Sequence, residues 1–199
     1  MDPMFHEGSR RLQDAFGSRA LADRLVERGT HDAFTEEDAA FIARRSFFFL
    51  ATADAEGWPD CSFKGGDPGF VRVVAPDLLV WPDYDGNGMF KSLGNLGVNP
   101  RAGLLFIAIG APEEMPQRLR VNGTAEVSAD DPLLADCPGG QMLVRFRPRH
   151  IFRNCPRYIP KMRVDEPSLY VPRTGHVPPE PEWKSRPELR DVVPPRRCS

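Results

Sequence analysis

Residues 41–70, FIARRSFFFLATADAEGWPDCSFKGGDPGF, constrain the fold more than any other stretch of the chain. They read as the end of a helix, a buried strand, a tight connection, and a second strand that carries Ser62 and Lys64 into a glycine-rich loop. Phe47, Phe48, Phe49, Leu50 and Ala51 form an unbroken apolar run, the pattern of a strand covered on both faces. After the break at residues 54–59 the pattern becomes alternation, with Cys61 and Phe63 on one side and Asp60, Ser62 and Lys64 on the other. A hydroxyl and an ammonium therefore share one face. That face ends at Gly65 and Gly66, where backbone can approach a ligand closely, and it is a candidate anion site.

Ahead of this stretch the spacing is helical. Leu12, Phe16, Leu21, Leu25 and Val26 make an apolar stripe, Gly17-Ser18 divides it in two, and Gly29 is a natural stop. Thr35 caps a further helix, with Asp38 three residues on in the place of a capping-box acid. Beyond the glycine loop, residues 70–74 and 78–81 read as paired strands around a Pro76-Asp77 turn, and a polar loop follows at residues 82–88. A short helix is expected from Met89 to Leu96, closed by Asn99-Pro100. Its first turn holds Lys91 and Ser92, so free backbone N–H groups and a lysine make a second candidate anion site. Strands are expected at 102–109, 119–127 and 142–152, with a polar loop at 111–117 and a loop or short helix at 130–140. Short connections between six or seven strands point to an antiparallel barrel.

The 199 residues suit one domain with extensions: a helical N-terminal part at 1–36, a barrel at 37–162 and a proline-rich arm at 163–199. The arm holds many of the 21 prolines and is read as either disordered or laid over a partner subunit. A net charge of -2 gives no field for nonspecific nucleic-acid binding. No apolar run is long enough to span a membrane and no signal-peptide layout is present, so a cytoplasmic location is expected. Cys61, Cys137, Cys155 and Cys198 form no CxxC pair and are read as reduced thiols, and the four histidines are too scattered for a metal site. Arg145, Arg147 and Arg149 read as a solvated stripe.

Five fragments in order carry a resemblance: Phe49-Leu50-Ala51-Thr52; Gly57-x-Pro59 with Ser62-x-Lys64; Lys91 through Asn99-Pro100; Arg120-Val121-Asn122-Gly123-Thr124-Ala125-Glu126; and Phe146-Arg147-Pro148 to Phe152. Over residues 37–160 the chain resembles the FMN-binding split barrels related to pyridoxamine 5'-phosphate oxidase. The resemblance implies a mainly β, six- to seven-stranded antiparallel split barrel with flanking helices, and a homodimer with FMN in clefts at the subunit interface. It places Pro59, Asp60, Cys61, Ser62, Phe63 and Lys64 along the flavin ring and ribityl chain, and Lys91 with Ser92 at the phosphate. Trp81, Asn95 and Arg118 belong to the same implied cofactor set, and Arg157 and Tyr158 are candidates to line the cleft from the second subunit. The Trp-containing strand and Arg-x-His segment that handle the vitamin in true pyridoxamine phosphate oxidases are absent. Residues 154–161, NCPRYIPK, stand there instead, so the resemblance carries over fold and cofactor but not substrate.

Two classes of function follow. One is an FMN-dependent oxidoreductase acting on a small molecule or electron donor, in which the protein binds and orients the flavin. The other is a non-catalytic flavin carrier or sensor, and related barrels hold haem or a deazaflavin in place of FMN. An enzyme leaves partly apolar space over the cofactor face, and a carrier buries it. Cys155 reads as an inert thiol, since no neighbour in sequence marks it as activated.

Overall fold

The computed structural model describes residues 4–109 and 115–195. Helices α1 (Glu7–Ala15) and α2 (Arg19–Gly29) form a hairpin hinged at Gly17 and Ser18, joined by an ion pair of 2.5 Å between Arg10 and Asp23. Neither helix buries a residue, and the stripe of Leu12, Phe16, Leu21 and Leu25 is exposed. Strand β1 (Thr30–His31) leads to α3 (Glu36–Ala43), which starts in a complete capping box between Thr35 and Asp38 and buries Phe41 and Ile42. The capping box was legible because its two partners are local.

The remaining strands are β2 (Phe47–Ala53), β3 (Pro59–Gly65), β4 (Arg72–Ala75), β5 (Leu78–Tyr84), β6 (Arg101–Ile107), β7 (Arg118–Ser128) and β8 (Gly140–Arg153). All pairings are antiparallel, in the order β3-β2-β6-β7-β8-β5-β4, with β1 added beside β8. Three strands lie between β2 and β5 in this order, yet the Phe48 ring meets the Trp81 ring edge-on at 5.2 Å. Only a sheet curled into a barrel brings those rings together. Phe106 and Phe146 complete the contact, and Leu50, Leu79, Leu119 and Ile151 fill the rest of the interior. The barrel is split, because its edge strands β3 and β4 do not pair with each other.

Helix α4 (Lys91–Val98) connects β5 to β6 and packs on β2, β3 and β7. Its buried Asn95 donates to the Thr52 hydroxyl at 3.0 Å. On the outside of β5 and β8, Val80 and Leu143 form a smaller cluster with Cys137 next to the 3-10 turn at Pro132–Asp136. Where β7 and β8 shift register at Gly123, a Cβ would lie 2.0 Å from the Arg147 carbonyl, so only glycine allows the approach.

One local expectation is corrected. The run from Phe47 to Ala51 is not covered on both faces: Phe48 and Leu50 are buried, Phe47 and Phe49 are half-buried, and Ala51 is exposed. The outward rings pack on one another and on Phe63, with Phe47 stacked on Phe63 at 5.1 Å. An apolar outer face reads like a doubly covered one in sequence. Gly65, which lines the cavity, and Gly66 also have a packing role. A Cβ on Gly66 would sit 2.4 Å from the Phe70 ring and one on Gly65 would sit 2.8 Å from Phe63, so both glycines make room for aromatic side chains.

The expected loop at 111–117 falls partly outside the described residues, as does Cys198. Within the described arm, Pro172, Arg173 and Lys184 meet the chain's own barrel and its loops. Among the described residues no helix is long and apolar enough to cross a membrane.

Candidate functional site

A cavity of about 730 Å³ opens between the edge strand β3, the end of β5 and the start of α4, within the range of small-molecule sites. Among the described residues strand β3 pairs only with β2, and its side chains alternate: Pro59, Cys61 and Phe63 are exposed, while Asp60, Ser62 and Lys64 are half-buried. The half-buried set lines the cavity, together with Phe63 and Gly65. Lys91 and Ser92 enter from the first turn of α4. The two candidate anion sites read from the sequence are therefore walls of one cavity.

A chain of hydroxyls joins those walls. Ser92 Oγ donates to Asp60 Oδ2 at 3.3 Å, so the 2.9 Å bond between the two serines has Ser62 as its donor. That leaves the Ser62 oxygen free to accept from a ligand. Helix α4 has no side-chain cap at its N-terminus, and its first backbone N–H groups point out from the turn that Lys91 begins. Phe90, immediately before, holds φ 48°, the only positive φ at a non-glycine among the described residues.

Asp83 and Tyr84, at the end of β5, also line the cavity. Burial pushes the Asp83 carboxyl up, against the opposing pull of Lys64, and burial pushes the Tyr84 phenol up to about 12. Tyr84 is thus a neutral donor, and Asp83 holds its proton more readily than an ordinary aspartate. Sequence reasoning passed over both as loop residues. Their placement after the apolar run of β5 was the available signal, since a strand leaving a barrel interior carries its last polar residues to the rim.

The other sequence-predicted residues lie elsewhere. Trp81 is 1% exposed inside the barrel, where its ring packs on Phe48 and Phe146 and does not face the cavity. Asn95 is buried in its bond to Thr52. Pro59 and Cys61 are on the outward face of β3. Arg118, Arg157 and Tyr158 gather at a separate place: Arg118 donates to the Cys155 carbonyl at 3.1 Å, and the Arg157 guanidinium stands 5.9 Å from the Tyr158 ring centroid. Arg118 Nε is buried without a hydrogen-bond partner, and Tyr158 is 89% exposed. Hydrogen bonds from Arg157 hold the Cys155 thiol below its ordinary value, with Arg118 adding to the effect. Arg157 lies only two residues along the chain, and what the sequence does not show is the fold of residues 155–157 that turns its backbone N–H and guanidinium onto the thiol.

Residues 34–163 match the family model described as pyridoxamine 5'-phosphate oxidase. No curated protein matches the chain. Among solved structures, an H111A variant of HupZ from Group A Streptococcus is 17% identical with a TM-score of 0.47, covering 60% of this chain and 98% of that one. The heme storage protein HutZ from Vibrio cholerae is 19% identical with a TM-score of 0.44, covering 59% and 92%. An FMN-binding protein from Syntrophomonas wolfei is 13% identical with a TM-score of 0.43, covering 72% and 97%.

Proposed function

The chain belongs to the pyridoxamine 5'-phosphate oxidase family, and from that premise we propose that its cavity binds FMN and that the protein is a flavin-dependent oxidoreductase working as a homodimer. The observation that carries this reading is the joining of Lys91, the uncapped start of α4, Ser62 and Lys64 in one cavity wall. The donor set fits the group. A dianionic phosphate calls for a cation and free N–H groups, and the α4 N-terminus with Lys91 offers both. Ser62 accepts from, and Lys64 donates to, the polar middle of such a ligand, while Phe70 and Leu93 supply apolar wall.

When bound, FMN supplies hydride or electron transfer. The chain's own residues set the surroundings of that chemistry. Lys91 would hold the phosphate, the hydroxyl chain from Ser62 through Ser92 to Asp60 ties α4 to β3, and Asp83, whose carboxyl burial pushes above its ordinary value, stands at the cavity rim.

The aromatic outer face of β2 and β3 supports the homodimer. Phe63 is 62% exposed, and with the half-buried Phe47 and Phe49 it forms an apolar patch of the kind that a second copy covers. Arg118, Arg157 and Tyr158, away from this chain's own cavity, are the half of the site that a second copy would bring. The carrier reading is favoured by a single observation, that Trp183 and Lys184 of the C-terminal arm also line the cavity. Titration with FMN and with riboflavin tests the cofactor assignment. FMN must bind at least about tenfold tighter, the worth of one charge-assisted phosphate contact, and equal affinities would remove the phosphate pocket.

A further inference from the structure

The arm is fixed to the barrel at both sides of the cavity. Arg173 makes a two-pronged ion pair with Asp67, in the loop between β3 and β4, with Nη2 to Oδ1 at 2.7 Å. Beside it, the Pro172 ring fills the space over Gly139, where a Cβ would lie 2.5 Å away. The chain then turns back, closed by the bridge between Arg173 and His176 and by a 2.9 Å bond between His176 Nε2 and the Leu169 carbonyl. A proline-rich segment leads to the 3-10 turn Glu182–Ser185, which sets Trp183 and Lys184 into the cavity wall. Lys184 Nζ meets Asp85 at 2.5 Å and Glu180 at 3.5 Å, and its side chain is only 9% exposed. Val193, Pro194 and Pro195 return to the same wall.

Three features make this more than a packed tail. A lysine so little exposed is kept only where a carboxylate meets it, and here the carboxylate belongs to the loop after β5 that forms the cavity rim. Prolines at 178, 179 and 181 restrict the free arm, so docking costs less conformational entropy than it would for an ordinary loop. The anchors at Asp67 and Asp85 lie on different connections, and the arm residues that line the cavity, Trp183, Lys184, Val193, Pro194 and Pro195, lie at and beyond the second anchor.

We propose that residues 172–195 are a strap that closes the cavity over its ligand, latched by the Lys184–Asp85 ion pair, with Trp183 a wall of the closed site. The strap rests on the flavin reading for the identity of what it covers, but not for its docking. A ligand seated against Lys91 and Ser62 leaves only when the latch opens, so latch strength sets the rate of exchange.

The test uses the full-length chain, wild type and two variants that break the latch from opposite sides, Asp85→Asn and Lys184→Met. Chymotryptic cleavage after Trp183 reads the open population. In the absence of FMN, both variants are cleaved faster than wild type by about tenfold, in proportion to the open fraction. With FMN bound, cleavage of wild type slows further and both variants release flavin about fivefold faster than wild type, since release follows opening. Equal cleavage rates in all three proteins would overturn the strap. Faster cleavage with unchanged flavin release would also overturn it, leaving a docked tail that covers nothing. If wild type takes up no FMN, the flavin reading fails, and the cleavage rates alone decide whether the strap is latched. Matching melting temperatures across the three proteins show that cleavage reports the arm and not global unfolding.

Discussion

Ser62 on β3 and Ser92 in the first turn of α4 share a hydrogen bond of 2.9 Å across 30 residues of sequence. With Asp60 accepting from Ser92, the bond ties the free edge of the barrel to the helix that begins with Lys91. The cavity's cationic end and its hydroxyl wall are thereby held as one unit, although each lies on a different element.

Lys91→Ala should weaken FMN by about tenfold or more, because a charge-assisted contact is worth roughly 1.5–3 kcal/mol. Riboflavin, which has no phosphate, should bind the variant and the wild type alike. Fluorescence titration of both ligands checks this, and parallel losses would mean that Lys91 acts on the fold.

Asn95 and Thr52 form a buried polar pair inside the contact between α4 and β2. Asn95→Ala removes the donor and strands the Thr52 hydroxyl, at a cost of about 1–3 kcal/mol. Urea unfolding should show that loss. An unchanged midpoint would mean that the pair adds no net stability to the seat of α4.

Asp38 is buried, and burial alone would raise its pKa, yet bonds from His31 at 2.7 Å and from the Thr35 hydroxyl and backbone N–H pull it below the ordinary 3.8. A folded-state pKa below the unfolded one stabilises the protein fully above the unfolded value, and that stability is lost as pH falls through the native value. Asp38→Asn should therefore be less stable near neutral pH and less sensitive to acid. Urea midpoints measured from neutral pH down to about pH 3 resolve the two slopes, and identical slopes would contradict the assignment.

In the proposed homodimer the second copy covers the outward aromatic patch, so Phe63→Glu would bury an unpaired charge there. Analytical ultracentrifugation should find two chains for wild type and one for the variant. A dimeric variant would place the contact on another face.

Much of the architecture was legible wherever its cause is local. The alternation of β3, the capping box of α3, the hinge at Gly17-Ser18 and the lysine at the start of α4 each depend on neighbours within a few residues. What escaped depends on distant partners. Trp81 was read with the cofactor residues, and only the curl of the sheet, which brings β2 to β5, makes it a core residue. The docking of the arm depends on ion pairs that span 99 and 106 residues. Asp83 looked like any loop aspartate until its burial and its nearness to Lys64 were visible.

The cofactor claim is tested most directly by mixing the purified full-length chain with excess FMN, passing it through gel filtration, and recording the absorption spectrum of the protein peak. The account predicts that the peak keeps the near-ultraviolet and blue bands of a flavin at one FMN per chain, and that bound FMN raises the melting temperature. A colourless peak whose melting temperature FMN does not change would contradict it.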